Sequence, residues 1–453
     1  MSKAKEVNFT EGKIALPLIK FVFPIMFAML IQSLYGAVDL LIVGQFSDPA
    51  NVSAVSTGAQ IMHSITVVIS ELAIGTTITL GQMIGQGRRD ACGKVVGATI
   101  FTFSIMGIVV AVLMQPLAAP VASLLNAPAE AFAQTVSYVR ICCGGAVFIV
   151  AYNILGSIFR GIGDAKMPLI TVLIAAIFNI FGDLFFVGYM GIGAAGAAIA
   201  TVMAQALSVI LSFVIIRRRG MPFPFRLSDI GFHKEIIGRV LVLGIPIALQ
   251  DFLVSISFLI IMAIVNNLGV IASAGVGVAE RLCGFIMLLP SAFSQATSSF
   301  VAQNYGARKM DRAGKALRYA IGISFCCSVV IFYLAFFHGV ALSHIFSKDM
   351  EVCVASAEYL KAYAIDCMLT SFLFCFIGYF NGCSRTTFVM IQGIVGAFCV
   401  RVPLSFLFSH IQPVSIFRIG LATPSSTFVQ IILCFTYLWI LRRQMQKKEN
   451  AEA

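Results

Sequence analysis

The sequence predicts an all-α fold: a polytopic membrane protein of twelve transmembrane helices in two pseudo-symmetric six-helix lobes, related as a parallel internal repeat. Three observations carry this reading. Apolar residues make up 59% of the chain and charged residues 11%, against about 25% charged in an average soluble domain, so the chain lacks the polar surface a soluble fold of this length needs. Apolar runs of the roughly 20 residues that a bilayer demands recur from end to end. The second half of the chain repeats the loops of the first.

The runs follow in order. The first, 16–45, carries Pro24 and ends in "YGAVDLLIVGQ", where Asp39 stands without another charge near it. The second, 52–84, contains His63, which reads as a packing residue, and leads into the loop "GQMIGQGRRDACGK". The third and fourth, 93–117 and 132–158, end at "FRGIGDAK". The fifth, 167–188, has Asn179 and Asp183 four residues apart and so on one helix face. The sixth, 193–216, contains "GAAGAAIATVMAQ", a run of small residues that lets a neighbouring backbone come close; Ala197 and Thr201 share one face of it. A basic stretch beginning "RRRG" follows. Then come 236–268 with Pro246, 272–302, 316–340, 355–380, 387–409 and 419–441. The expected domains are an N-terminal lobe at 1–216, a cytoplasmic basic linker at 217–235, a C-terminal lobe at 236–442 and a cytoplasmic tail at 443–453.

The repeat is read from loops. Gln82, Gly85 and Asp90 of "GQMIGQGRRDACGK" pair with Gln303, Gly306 and Asp311 of "AQNYGARKMDRAGK" at one constant offset. At that offset Gly161 of "FRGIGDAK" meets Gly382 of "FNGCSRTT", and Pro24 meets Pro246 within one residue. An even number of helices per half makes both halves enter the membrane from the same side, so the repeat is parallel. Two such halves suit alternating access by rocking of one against the other. The polar residues are not duplicated: Asp39 falls on Ile260 or Ile261, Asp183 on Leu404 and Asn179 on Val400.

The net charge of +11 is a matter of topology. Alternating the connections between sides puts all Lys and Arg except Arg140, Arg281, Lys348, Lys361, Arg401 and Arg418 on one face. That is the positive-inside bias, and it predicts both termini in the cytoplasm. No nucleic-acid partner is expected. The head "MSKAKEVNFTEGK" has no apolar core, so no cleaved signal peptide is expected. The twelve cysteines show no C-x-x-C and the five histidines no H-E-x-x-H, which argues for small apolar filler and against a zinc site. No nucleophile–base pair is visible at membrane depth, so the chain reads as no enzyme, with no cofactor.

Depth brings four polar residues together. At 1.5 Å per residue, Asp39 lies about 9 Å inside the outer end of its helix and Asp183 about 8 Å inside its own. Asn179 and Thr201 come out near about 14 and 15 Å. A carboxylate at such depth costs on the order of 2–3 kcal/mol and usually faces a cavity or a partner. Two carboxylates, an amide and a hydroxyl are hard oxygen ligands suited to Na⁺ or H⁺. Proline at Pro24 removes a backbone hydrogen bond and marks a hinge in the same helix as Asp39.

At these residues the chain resembles the multidrug and toxic compound extrusion (MATE) transporters. "P-x14-D" with "YGAVDLLIVGQ" looks like that family's first helix, "FVAQNYGA" and "RGIGDAK" like its loops, and "N-x3-D" followed by Thr201 like its N-lobe cation site. The likeness spans the whole chain. It implies secondary active efflux of drugs or organic cations, with H⁺ or Na⁺ moving inward by antiport in a bacterial cell membrane. By position it implies Asp39, Asn179, Asp183 and Thr201 as the coupling-ion site, where Na⁺ would be the metal, with Ala197 giving a backbone oxygen. Tyr35, Asp366 and Glu280 are candidate cavity residues. Another branch of the family has an acid in the middle of helix 7 and a C-lobe cation site; here "LVSISFLIIMAIV" has no acid. The chain therefore looks closer to the branch grouped with the DNA-damage-inducible transporter.

The partners expected are small cationic amphipathic molecules, for which 39 Phe and 18 Met allow an adaptable pocket, and membrane lipids. A monomer is expected. The alternative is a flippase for a lipid-linked precursor from the same superfamily, which would direct several arginines at an anionic headgroup; Arg140, Arg281 and Arg401 are scattered over different helices. Glu280 and Arg281 are adjacent and point apart, and Arg401 reads as a structural plug between helices.

Overall fold

The computed structural model describes residues 9–452, with side chains through residue 444. Lys3 and Lys5 of the basic face lie outside the described residues, as do the side chains of Lys447 and Lys448. The described residues form helices and no strand. They are α1 (Ala15–Phe46), α2 (Pro49–Gly85), α3 (Arg89–Leu124), α4 (Phe132–Gly144), α5 (Ala146–Ile162), α6 (Lys166–Asp183), α7 (Ala194–Arg219), α8 (Lys234–Asn266), α9 (Val270–Ile286), α10 (Leu288–Gly306), α11 (Met310–Phe337), α12 (Gly339–Ser343), α13 (Met350–Gly382), α14 (Thr386–Ile394), α15 (Val402–His410), α16 (Ile416–Gly420) and α17 (Ala422–Glu452). Among the described residues eleven spans are long and apolar enough to cross a membrane, and a bent pair, α4 with α5, makes up to twelve.

The expected fourth helix is thus broken. Its halves meet at 54° where Gly144 and Gly145 stand together, a known cause of kinks. Val202 of α7 packs so closely on Gly145 that a methyl there would overlap it. Two spans change pitch without stopping. The fifth span passes from α6 into a π-helical turn at Leu184–Tyr189, and the span begun by α14 passes through one at Val395–Arg401. Such turns hold one extra residue and are frequent at functional sites. His63 is exposed, so it is no core packing residue. The cysteines are free, with most buried and Cys326 and Cys399 exposed.

The chain falls into two compact units. Unit 1 comprises Met1–Ala248 with Ala302–Met310, and unit 2 comprises Leu249–Val301 with Asp311–Ala453. In unit 1 the repeated loop motifs meet each other. A methyl on Gly85 would run into the Gln303 carbonyl and one on Gly306 into the Gln82 carbonyl, so each glycine is needed for the other's neighbour. Gln303 Nε2 also donates to the Gly161 carbonyl at 3.2 Å, and Arg239 donates to Gln82 Oε1 at 2.5 Å. Buried Phe9 joins them: its N–H donates to Gln303 Oε1 at 3.4 Å, and Asn304 Nδ2 donates to its carbonyl at 3.1 Å. The stretch after α7 is docked as well, with Phe223 buried and the Asp229 carbonyl lying against Gly97 of α3.

Unit 2 is built around α13, which is buried along most of its length. Gly378 and Gly382 let α13 approach the backbone of α10 at Ser294 and Ser298. Outside both units' cores, the helices carry exposed Leu, Ile, Val and Phe such as Val112, Phe181 and Leu259. A lipid-facing surface has that composition, because hydrocarbon gives no reason to hide apolar side chains.

Candidate functional site

The four polar residues expected to converge do so, in unit 1. Asp39 is 4% exposed, and Asn179 and Asp183 are fully buried. The helices that carry them are set by small residues. At Gly182 a methyl would stand 3.0 Å from Ala200 Cβ, so α6 and α7 touch beside Asp183 and Thr201, the next residue in each case. Gly196 lies equally close to Phe186 of the π turn. At the start of α2, Asp48 caps the helix by accepting from Asn51 N–H at 2.8 Å, and Asn51 Oδ1 accepts from Ala194 N–H at 2.8 Å, which ties α2 to the start of α7.

The resulting geometry is compact. The Asn179 amide, oriented by its network, donates from Nδ2 to Asp39 Oδ1 at 2.6 Å and to Asp183 Oδ2 at 3.3 Å. Thr201 Oγ1 donates to Asp39 Oδ2 at 3.4 Å. The two carboxyl groups are in direct hydrogen-bond reach of each other. Asp183 Oδ1 is buried without a hydrogen-bond partner. Ala197 is buried one turn before Thr201.

Two carboxylates this close, away from water, repel strongly unless a positive charge lies with them. A proton shared between them satisfies that need, and so does a cation. In the second case the Asn179 amide can turn its oxygen inward, and Thr201 adds another. Among the described residues no cluster of three or more His, Cys, Asp or Glu side chains occurs. Two carboxylates with neutral oxygens suit a monovalent ion better than the heavily anionic sets that hold divalent ions tightly.

Tyr35, one turn before Asp39 on α1, points its hydroxyl toward Thr201 and the two acids, and that hydroxyl is buried without a partner in bonding geometry. The sequence reading passed over Tyr138 and Cys142 of α4, both buried and within electrostatic range of Asp39. Their spacing is that of any apolar helix face. It also passed over Glu71 of α2, which interacts electrostatically with Arg160. A lone carboxylate in an apolar run is the signal that found Asp39, and it was present for Glu71 as well.

The other candidates, Asp366 and Glu280, lie in unit 2. Asp366 is 3% exposed with Oδ1 unpartnered, and Glu280 Oε1 is likewise buried and unpartnered. Arg401 is buried, donates from Nη1 to Ser257 Oγ at 3.0 Å and lies over the Phe258 ring, which fits the plug expected of it.

The chain matches the MatE family model twice, over residues 24–185 and 246–407. It is 25% identical over 444 residues to the probable multidrug resistance protein YoeA of Bacillus subtilis (strain 168), covering 94% of each chain. To the multidrug export protein MepA of Staphylococcus aureus (strain MW2) it is 22% identical over 405 residues, covering 85% of this chain and 86% of that one. A crystal structure of a MATE protein in the bent conformation superposes with a TM-score of 0.92 at 22% identity over the whole of both chains. An outward-facing multidrug resistance MATE transporter of the MOP superfamily superposes with a TM-score of 0.91 at 21% identity, covering 99% of this chain and 100% of that one.

Proposed function

The chain belongs to the MatE family, and from that premise we propose that it is a secondary active exporter of drugs or organic cations, driven by inward movement of H⁺ or Na⁺. The observation that carries the reading is the Asp39–Asn179–Asp183 triad, two carboxyls bridged by one amide at 2.6 and 3.3 Å in the membrane-spanning part of unit 1. In this mechanism the coupling cation binds at Asp39 and Asp183, with Asn179, Thr201 and the Ala197 carbonyl as neutral oxygen donors. Its arrival removes the repulsion between the acids and stabilises one conformation over the other, since only differential affinity shifts such a balance. Substrate is released in the cation-bound state. Pro24 lies in the same unbroken helix as Asp39, and its missing hydrogen bond lets α1 bend as the triad fills. Tyr35 is the candidate cavity residue of unit 1, and Asp366 and Glu280 are those of unit 2.

The names of the relatives, a probable multidrug resistance protein and a multidrug export protein, support small-molecule drugs as substrates, and cationic amphipathic ones are the class expected. The chain works as a monomer in the cell membrane with both termini cytoplasmic, and needs no cofactor beyond the coupling ion. The lack of an acid in "LVSISFLIIMAIV" favours kinship with the DNA-damage-inducible branch. The flippase reading is less supported: it needs several arginines on one headgroup, whereas Arg401 is buried and held by Ser257, and Arg140 and Arg281 belong to different units.

The test is dye efflux from inverted vesicles with Na⁺ and pH gradients imposed separately. Efflux is expected with at least one gradient in the wild type and with neither in Asp39→Asn. Efflux that needs no gradient in the wild type would end the proposal.

A further inference from the structure

Unit 2 holds a second polar centre, separate from the triad of unit 1. Asp366 on α13 and Arg401 at the end of a π turn are both buried, 3% and 5% exposed. The guanidinium is held from one side by α8: Nη1 donates to Ser257 Oγ at 3.0 Å, and the group lies 4.3 Å over the Phe258 ring. Asp366 is in reach of the Thr427 hydroxyl on α17 and interacts electrostatically with Arg401, and Tyr359 is within range of Asp366, Arg401 and Glu280. The charges are not locked together. Arg401 Nε and Asp366 Oδ1 both lack a hydrogen-bond partner although buried.

The backbone is shaped to put Arg401 there. The π turn Val395–Arg401 is pinned to α17, where Ser426 Oγ donates to the Gly396 carbonyl at 2.6 Å and the Gln430 side chain fills the space a methyl on Gly396 would need. At the offset of the internal repeat, Arg401 falls on Ile180, the neighbour of Asn179. The centre of unit 1 therefore has acids and no basic side chain, while the centre of unit 2 has an acid and a fixed cation. A buried carboxylate without a positive charge nearby is costly, and a guanidinium on an aromatic face is well suited to supply one.

We propose that Arg401 is the tethered cation of unit 2: its guanidinium supplies the positive charge that a free monovalent cation would otherwise bring to Asp366, so this unit takes up no coupling ion. The orphaned oxygens of Asp366, Glu280 and Tyr359 are the donors that a free cation would use if the arginine were absent. The assignment concerns unit 2 alone and stands or falls apart from the ion site of unit 1.

The experiment is thermal unfolding of the purified full chain in detergent, in NaCl against choline chloride, at mildly alkaline pH where protons compete least. All variants carry Asp39→Asn, so binding in unit 1 does not contribute. A ligand that binds only the folded state raises the melting temperature. The parent and Arg401→Lys should show no Na⁺-dependent rise. Arg401→Gln should show one, and adding Asp366→Asn to it should remove it. A merely structural arginine would give no sodium dependence in any variant. The proposal is overturned if Arg401→Gln shows no rise, or if the rise survives Asp366→Asn. Should Arg401→Gln fail to accumulate, leaving an uncompensated buried acid, the charge-neutral Arg401→Gln/Asp366→Asn pair should accumulate like the parent; failure of that rescue also overturns it.

Discussion

Asp183→Asn is the sharpest perturbation of the unit 1 triad. The Asn179 nitrogen lies 2.6 Å from Asp39 Oδ1 and 3.3 Å from Asp183 Oδ2, so these two oxygens are within about 6 Å of each other and a cation between them sits roughly 3–4 Å from each. At an effective dielectric constant of about 20, one unit charge at 4 Å contributes about 4 kcal/mol. The substituted amide returns part of this as a dipole, which leaves a loss of about 2–4 kcal/mol. At about 1.4 kcal/mol per tenfold, cation affinity should fall roughly 30- to 1,000-fold. The assay is the cation concentration that half-saturates efflux in inverted vesicles, for Na⁺ and H⁺ in turn, with the melting temperature of purified protein as a check on folding. A half-saturating value within about threefold of the wild type, a difference of only ~0.7 kcal/mol, for whichever ion drives efflux would refute the reasoning, because no carboxylate in contact with the ion can be neutralised so cheaply.

Thr201→Ala should weaken Na⁺-driven efflux more than H⁺-driven efflux, because a bare cation uses the hydroxyl as a ligand and a proton does not; equal effects would remove Thr201 from the ligand set. Gly182→Val should force α6 and α7 apart, costing about 1–3 kcal/mol of stability. It should abolish gradient-driven efflux while the protein still reaches the membrane, and unchanged efflux would show that the close approach at Ala200 does not matter. For topology, a cysteine at Ser47 should react with an impermeant thiol reagent from outside intact cells and one at Lys94 should not, with reversed labelling inverting the orientation.

The sequence made the fold legible because hydrocarbon imposes one rule on every span, a long apolar helix, and eleven of the twelve runs obey it, the fourth doing so only as a bent pair. The break at Gly144 and Gly145 was not legible: a glycine pair leaves the apolar run unchanged, and Val202, which packs against Gly145, lies far along the chain. The π turns after Asp183 and before Val402 were hidden for a similar reason, since an extra residue in a turn leaves the apolar pattern unchanged. Within the site, Asn179 and Asp183 were visible through their four-residue spacing and Asp39 through its isolation. Tyr138 and Cys142 gave no signal, as each sits in ordinary helical spacing. Arg160 was counted with the basic face because it stands near a helix end, yet its side chain reaches back to donate to Ser157 Oγ at 2.8 Å and lies within range of Glu71.

Infrared difference spectroscopy of the purified protein tests most directly whether Asp39 and Asp183 share the coupling cation. If they do, the wild type at neutral pH without sodium should show the carbonyl stretch of a protonated carboxyl group that disappears when alkali or sodium is added. That band should be missing from the difference spectra of Asp39→Asn and Asp183→Asn. Identical difference spectra in all three proteins would contradict the account, since the titrating carboxyl would then lie elsewhere in the chain.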